Sequence, residues 1–111
     1  MKINKPLVLI ALFAAPFLCA AETWKDVSLV DTSCSAKAKS NPDAHTRNCA
    51  LQCAKSGFGI LTADGTYLKF DSQGNEQALA ALKGSQASDH LRATVTGERQ
   101  GDTIKVASLK M

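Results

Sequence analysis

Apolar and polar residues alternate along five short stretches of the chain, and this alternation predicts five β-strands. The stretches are residues 27–32, 58–63, 66–70, 91–96 and 103–109. In the first of them, Val27 and Leu29 fall on one face and Val30 and Thr32 on the other. Asp64-Gly65 separates the second stretch from the third and is typical of a type I′ hairpin turn. Strands two and three are therefore predicted to form a hairpin.

A helix is predicted between the first two strands. The segment Asn41-Pro42-Asp43 combines a capping residue, a proline suited to the first helical turn and an acid near the positive end of the helix dipole. Gly57 provides a left-handed stop of the kind that ends many helices. These signals predict a continuous helix over residues 42–55.

A shorter helix is predicted over residues 76–83, capped by Asn75 and stopped by Gly84. The element order is then β-α-β-β-α-β-β, which is mainly β with two helices. Without the first helix, this is the order of a five-stranded OB-like barrel. Barrel closure removes the exposed strand edges of a small sheet. An open α+β sheet with a helix packed across it has the same order and is the alternative.

The N-terminus has the three-part layout of a secretory signal peptide. Lys2 and Lys5 precede an apolar run over residues 7–18, and small residues follow it up to Ala21. The run is shorter than the ~20 apolar residues that a transmembrane helix needs. Residues 1–21 are therefore predicted to be a signal peptide cleaved near Ala21, which places the protein in the periplasm or outside the cell.

Residues 22–111 are predicted to form a single domain of nearly neutral charge. The chain has 13 basic and 10 acidic residues. Cleavage removes Lys2 and Lys5, which leaves 11 basic residues against 10 acidic ones and a net charge of +1. Charges of both signs are dispersed, whereas a nucleic-acid binder typically carries a basic patch. The composition therefore argues against nucleic acid as a partner.

Three cysteines and a histidine in this domain are the candidates for chemistry. On the predicted helix, His45, Cys49 and Cys53 recur every four residues and share one stripe, while Cys34 follows strand one. Nitrogen and sulfur donors in this arrangement suit Zn²⁺ or Cu(I). The metal hypothesis therefore uses Cys34, His45, Cys49 and Cys53.

The same cysteines also support a disulfide. Nearby thiols pair in an oxidising compartment, and a disulfide stabilises a small domain by on the order of 2–4 kcal/mol. Cys49 and Cys53 lie too far apart within a regular helix to bond to each other. Cys34 is thus predicted to pair with one of them. The third thiol is then buried, reactive or the link in a disulfide-bonded dimer.

Several segments together resemble a group of small exported bacterial proteins of unassigned activity. The resemblance is carried by Asp31-Thr32-Ser33-Cys34, Cys49-Ala50-Leu51-Gln52-Cys53, Val95-Thr96-Gly97 and Gly101-Asp102-Thr103-Ile104-Lys105-Val106. Members of the group combine an OB-like β-barrel with a Cys…CxxxC pattern. The resemblance implies the fold and no mechanism.

Two functional hypotheses follow from the sequence. The first is a disulfide-stabilised, non-enzymatic binding module of the cell envelope, without a cofactor, whose ligand is a protein, a glycan or a small molecule. The second is a metal-handling protein for Zn or Cu, or a thiol-active protein, that uses the Cys/His cluster. The sequence contains no motif that supports an enzymatic activity.

Overall fold

Backbone hydrogen bonds close five strands into a barrel. The computed structural model describes residues 21–111, so the predicted signal peptide lies outside the described residues except for Ala21. The strands are β1 (Glu22–Asp31), β2 (Phe58–Leu61), β3 (Tyr67–Phe70), β4 (Arg92–Gln100) and β5 (Thr103–Lys110). They pair in the closed order β1-β2-β3-β5-β4, with β3 and β5 parallel and the other neighbours antiparallel. The predicted OB-like barrel is confirmed, and the open sheet is wrong.

Alternate residues of the strands fill the barrel interior. Leu29 of β1 faces inward, whereas its neighbour Val30 packs outside the barrel in a second cluster with Ala38 and Leu61. Inward-facing side chains from all five strands are buried: Leu29, Phe58, Ile60, Leu68, Phe70, Ala93, Val95, Ile104 and Val106. The two faces predicted for β1 are therefore confirmed. This alternation is what period-two patterning requires of a sheet with one face on the core.

Strand β4 needs glycine at position 97. A Cβ atom on Gly97 would lie 2.3 Å from the carbonyl oxygen of Lys105 on β5. The register between the two strands also shifts between Thr96 and Gly97. The predicted strand over residues 91–96 stops before Gly97, but β4 continues to Gln100, and only Gly101 and Asp102 separate it from β5. A glycine within a strand here marks a close backbone approach.

The helix α3 (Ser72–Gly84) packs on the barrel core through Ala78 and Leu82. Asp71 caps it, because the Asp71 carboxylate accepts hydrogen bonds from the amides of Gly74 at 2.9 Å and of Val106 at 3.2 Å. Asn75, the predicted cap, lies inside the helix and instead accepts a hydrogen bond from the amide of Phe58 at 2.8 Å. The helix therefore starts earlier than predicted, at the residue that also bonds to β5.

The hairpin between β2 and β3 forms as predicted, but its turn differs. The amide of Gly65 donates to the carbonyl of Thr62 at 3.0 Å, and Gly65 has a φ of 86°. Asp64 keeps a negative φ, whereas a type I′ turn needs positive φ at both central residues. The Asp64 carboxylate accepts hydrogen bonds from the Thr62 hydroxyl and the Thr66 amide, which holds the turn in this other form.

Residues 32–57 form an insert between β1 and β2. Its helical segments are a 3-10 turn (Thr32–Cys34), the short helix α1 (Ser35–Ala38), a second 3-10 turn (Pro42–Ala44), the helix α2 (Arg47–Gln52) and a third 3-10 turn (Ala54–Ser56). The predicted continuous helix over residues 42–55 is therefore wrong. Among residues 21–111, no helix is long and apolar enough to cross a membrane.

Tertiary hydrogen bonds break the predicted helix at His45. In a continuous helix, the amide of Arg47 would bond to the carbonyl of Asp43. Instead, the Arg47 amide donates to Ser88 at 2.8 Å, and the Asp43 carbonyl accepts from the His90 amide at 3.2 Å. The chain is extended at His45, with a ψ of 127°. The helix restarts at Thr46, whose hydroxyl accepts a hydrogen bond from the Cys49 amide at 3.1 Å.

Candidate functional site

A buried carboxylate ends strand β1 at the start of the insert. Asp31 is 0 % exposed and pairs with Phe58 of β2 in the sheet. Its Oδ2 atom accepts hydrogen bonds from the Ser33 hydroxyl at 2.8 Å and from the Cys34 amide at 3.1 Å. Asp31 therefore caps the first 3-10 turn through one oxygen. The other oxygen, Oδ1, is free to face a different group.

The imidazole of His45 lies against this second oxygen. Its Nε2 atom is 2.8 Å from Asp31 Oδ1, and the His45 side chain is 7 % exposed. The approach lacks the direction of a hydrogen bond, and neither atom has another hydrogen-bond partner among the described residues. Buried polar atoms are nearly always hydrogen-bonded or bound to an ion. The Asp31–His45 contact is thus an exception that needs a physical explanation.

Two cysteines complete the group. One carboxylate oxygen of Asp31 and the Sγ atoms of Cys34 and Cys53 all lie within 4.8 Å of one another. Cys34 ends the first 3-10 turn, and Cys53 follows α2 as its C-terminal cap. Both cysteines are half-buried. We call Asp31, Cys34, His45 and Cys53 the Asp31 cluster.

A serine holds the two cysteine segments together. The Ser56 hydroxyl donates to the carbonyl of Cys53 at 2.8 Å and accepts from the amide of Ser33 at 3.1 Å. It therefore bridges the turn that carries Cys34 and the turn that follows Cys53. The Ser56 hydroxyl thus ties together the two backbone segments that carry the thiols of Cys34 and Cys53.

Tyr67 supports the cluster from the barrel. Its hydroxyl donates to the carbonyl of Val30 at 3.0 Å and lies 3.1 Å from the hydroxyl of Thr32. Burial raises the pKa of Tyr67 to about 12, and the nearby Asp31 charge acts in the same direction. Tyr67 thus stays a neutral phenol that contacts the residues on both sides of Asp31.

The surroundings of Cys34 disfavour its thiolate. Burial raises the pKa of Cys34 above the ordinary value, and the Asp31 carboxylate and the Cys53 thiol raise it further. A cation bound beside Cys34 would act in the opposite direction, because it favours the thiolate over the thiol.

Cys49 lies outside the Asp31 cluster and is exposed. It lines an open cavity of about 290 Å³ next to the cluster. The cavity is bounded by Cys34, Lys37, Ala38, Asn41, Ala44, His45 and Cys49. Of the four predicted metal ligands, the structure thus brings Cys34 and Cys53 into one group and His45 against its carboxylate. Cys49 is on the cavity wall instead.

All three described cysteines are free thiols in the structure. The Sγ atoms of Cys34 and Cys53 lie within 4.8 Å of each other, compared with about 2.05 Å in a disulfide. A disulfide from Cys34 stays a prediction, and Cys53 is the cysteine that shares its group.

Asp31 is the site residue that sequence reasoning missed. It appeared only within the segment Asp31-Thr32-Ser33-Cys34, at the polar end of a strand. An acid directly before the first residue of a helical turn is a capping signal, and its bond to the amide three residues later could have placed Asp31 beside Cys34. The burial of Asp31 and its contact with His45 have no sequence signal, because they depend on how the insert folds back.

Comparison with protein-family models, with curated proteins and with solved structures found no match to this chain. The resemblance to small exported bacterial proteins therefore stays a prediction. The geometry of the Asp31 cluster is therefore the observation that bears on function.

Proposed function

We propose that this protein is an exported, non-enzymatic binding module whose ligand is a zinc ion held by the Asp31 cluster. One observation carries the proposal. The Asp31 and His45 side chains are buried with their polar atoms 2.8 Å apart and without a directed hydrogen bond, beside two thiols. A cation between these four groups would satisfy both unpartnered atoms.

Three of the four groups already lie at distances that suit a tetrahedral zinc site. Zinc bonds of about 2.3 Å to sulfur place two thiolates about 3.8 Å apart, within the spacing of Cys34 and Cys53. The ligand atoms of Asp31, Cys34 and Cys53 lie within 4.8 Å of one another, but the His45 ring nitrogens are not part of that group. Bonds of about 2.0 Å to oxygen and nitrogen place those two atoms about 3.3 Å apart, so the His45 ring would move about half an ångström away from Asp31 Oδ1 and turn toward the thiols on zinc binding.

The donor set favours zinc over Cu(I). Thiolates and an imidazole suit either ion, but a carboxylate oxygen is a hard donor that Cu(I) does not prefer. The Asp31 carboxylate is therefore the ligand that favours Zn²⁺ over Cu(I), the two ions that the sequence pattern suits. Its other oxygen is held by Ser33 and by the Cys34 amide, the kind of outer partner that orients a ligating carboxylate.

We include the predicted export in this proposal, and the zinc-binding form is the one with reduced cysteines. The predicted signal peptide directs the chain to the periplasm or to the outside of the cell. The barrel supplies the rigid support, since Asp31 ends one of its strands. The proposal therefore follows the second sequence hypothesis, a metal-handling protein, and adds Asp31 to the predicted ligands Cys34, His45 and Cys53.

Zinc titration of the purified, reduced, metal-free protein tests this function. We expect one zinc ion per chain, and loss of that binding in Cys53→Ser and Asp31→Asn. Cys49→Ser is the matched control and should bind zinc like the wild type, because Cys49 lies outside the cluster. A parallel Cu(I) titration compares the two metals, and circular dichroism checks that each variant is folded.

Two results would overturn the proposal. One is wild-type protein that takes up no stoichiometric zinc. The other is a folded Cys53→Ser variant that binds zinc as tightly as the wild type. Tighter binding of Cu(I) than of zinc would contradict the role given to Asp31.

A further inference from the structure

We infer that oxidation opens the zinc site: a small-molecule disulfide, such as oxidised glutathione, converts Cys34 and Cys53 into a disulfide and releases the ion. The inference rests on the proposed zinc binding and adds how the ion leaves. It also assigns the predicted disulfide to the pair Cys34 and Cys53.

Two neighbouring thiols make this reaction accessible. The Sγ atoms of Cys34 and Cys53 lie within 4.8 Å of each other, and both residues are half-buried, so solvent reaches them. Both sit at the ends of short elements, Cys34 as the last residue of a three-residue turn and Cys53 between α2 and the turn Ala54–Ser56. Closing the remaining distance therefore involves short segments and no barrel strand.

The disulfide and the zinc ion exclude each other. A zinc site of this kind needs four ligands, and two of them are the thiolates of Cys34 and Cys53. Once these sulfurs are bonded to each other they no longer carry the negative charge that binds the metal. Asp31 and His45 alone leave only two ligands. The site can thus hold zinc or the disulfide.

The chemical step balances with oxidised glutathione as the oxidant. One cysteine thiolate attacks a sulfur of oxidised glutathione, which forms a mixed disulfide and expels one glutathione thiolate. The second cysteine thiolate attacks the mixed disulfide, forms the Cys34–Cys53 bond and expels the second glutathione thiolate. Both cysteines are oxidised, both halves of glutathione are reduced, and Zn²⁺ leaves with its charge unchanged.

Cys49 distinguishes this inference from random thiol oxidation. It stands outside the Asp31 cluster and has no neighbouring thiol there with which to close an internal disulfide. The predicted oxidising compartment supplies the conditions under which the Cys34–Cys53 pair closes. Because Cys49 is exposed, oxidised glutathione can leave it only as a thiol or as a mixed disulfide with glutathione, and intact mass tells these two forms apart.

Oxidation of the zinc-loaded protein with oxidised glutathione tests the inference. Released zinc is measured with a chromophoric chelator, thiols by alkylation, and the disulfide by intact mass and peptide mapping. We expect one zinc ion released per Cys34–Cys53 disulfide formed, and a zinc dissociation constant raised by more than about 100-fold. Reduction should restore binding. Cys49→Ser, the matched control, should release zinc in the same way.

The outcomes separate the two proposals. Reduced protein that binds no zinc overturns the proposed function. Reduced protein that binds zinc but keeps it while Cys34 and Cys53 become oxidised overturns the inference alone. An internal disulfide that joins Cys49 to Cys34 or Cys53, or zinc that stays bound with both of these thiols resistant to oxidised glutathione, also overturns it.

Discussion

The barrel interior and the insert of residues 32–57 differ in the kind of side chain that each one buries. In the barrel, alternating apolar side chains such as Leu29, Leu68 and Ile104 are almost completely buried. In the insert, the helices are short, and its buried apolar residues are small, namely Ala38 and Ala50. The insert nevertheless packs an imidazole against a fully buried carboxylate. Apolar burial thus holds the fold, while the polar burial lies where the barrel meets the insert.

This difference indicates that the barrel supplies stability, whereas the polar group next to it is available for binding. A barrel stabilised by apolar packing can hold a costly group of polar atoms at its margin without depending on it. Asp31 joins the two regions, because it is paired in β1 and contacts His45 of the insert. Substitutions in the two regions should therefore separate stability from metal binding.

The largest effect is expected in the barrel. Leu68→Ala removes a completely buried side chain and should lower the free energy of unfolding by about 2–5 kcal/mol. Urea denaturation measures this loss. Folded Leu68→Ala protein should still bind zinc, because no member of the Asp31 cluster is changed. Leu109→Ala, at a half-buried position, is the control and should cost less. An equal loss in both variants would contradict the role of the barrel core.

An intermediate effect is expected for two capping aspartates that lie in different regions. Asp31 and Asp71 each accept backbone hydrogen bonds at the start of a helical segment. Replacing either with Ala should lower the free energy of unfolding by about 0.5–2 kcal/mol. Only Asp31→Ala should also abolish zinc binding, measured by titration of the folded variants. Loss of zinc binding in Asp71→Ala would show that stability, and not the ligand, controls the site.

The smallest effect is expected for Tyr67→Phe, which removes a hydroxyl between the two regions. The loss at neutral pH should be about 1 kcal/mol, because the Val30 carbonyl and the Thr32 hydroxyl lose a partner. The pKa of Tyr67 is raised to about 12 in the folded state, above the ~10 of an unfolded chain. The phenol's contribution is thus fully present below pH ~10 and is lost as the pH rises toward 12.

Urea denaturation at neutral and alkaline pH measures the difference between wild type and Tyr67→Phe, which should shrink above pH ~10. The chain has one tyrosine, so phenolate absorbance reports Tyr67 alone. Titration of this absorbance near pH 10 in the folded protein would contradict the buried environment.

The strand pattern made most of the barrel predictable, whereas the insert was not. Alternation along each strand is a local property, and each predicted strand overlaps an observed one. In the insert, the capping signals near Pro42 predicted one helix through Cys53. The competing bonds from Ser88 and His90 come from more than forty residues away in sequence and cannot be seen in a local pattern. The stripe of His45, Cys49 and Cys53 failed for this reason.

The sequence by itself determined five strands, their order along the chain and the thiol and imidazole residues available for chemistry. Tertiary structure alone decided that the strands close into a barrel and which of these residues meet. It broke the helix at His45, turned the imidazole toward Asp31 and separated Cys49 from Cys34 and Cys53. The physical reason is that strand formation follows from local alternation, while a site built across β1 and an insert depends on long-range hydrogen bonds and burial.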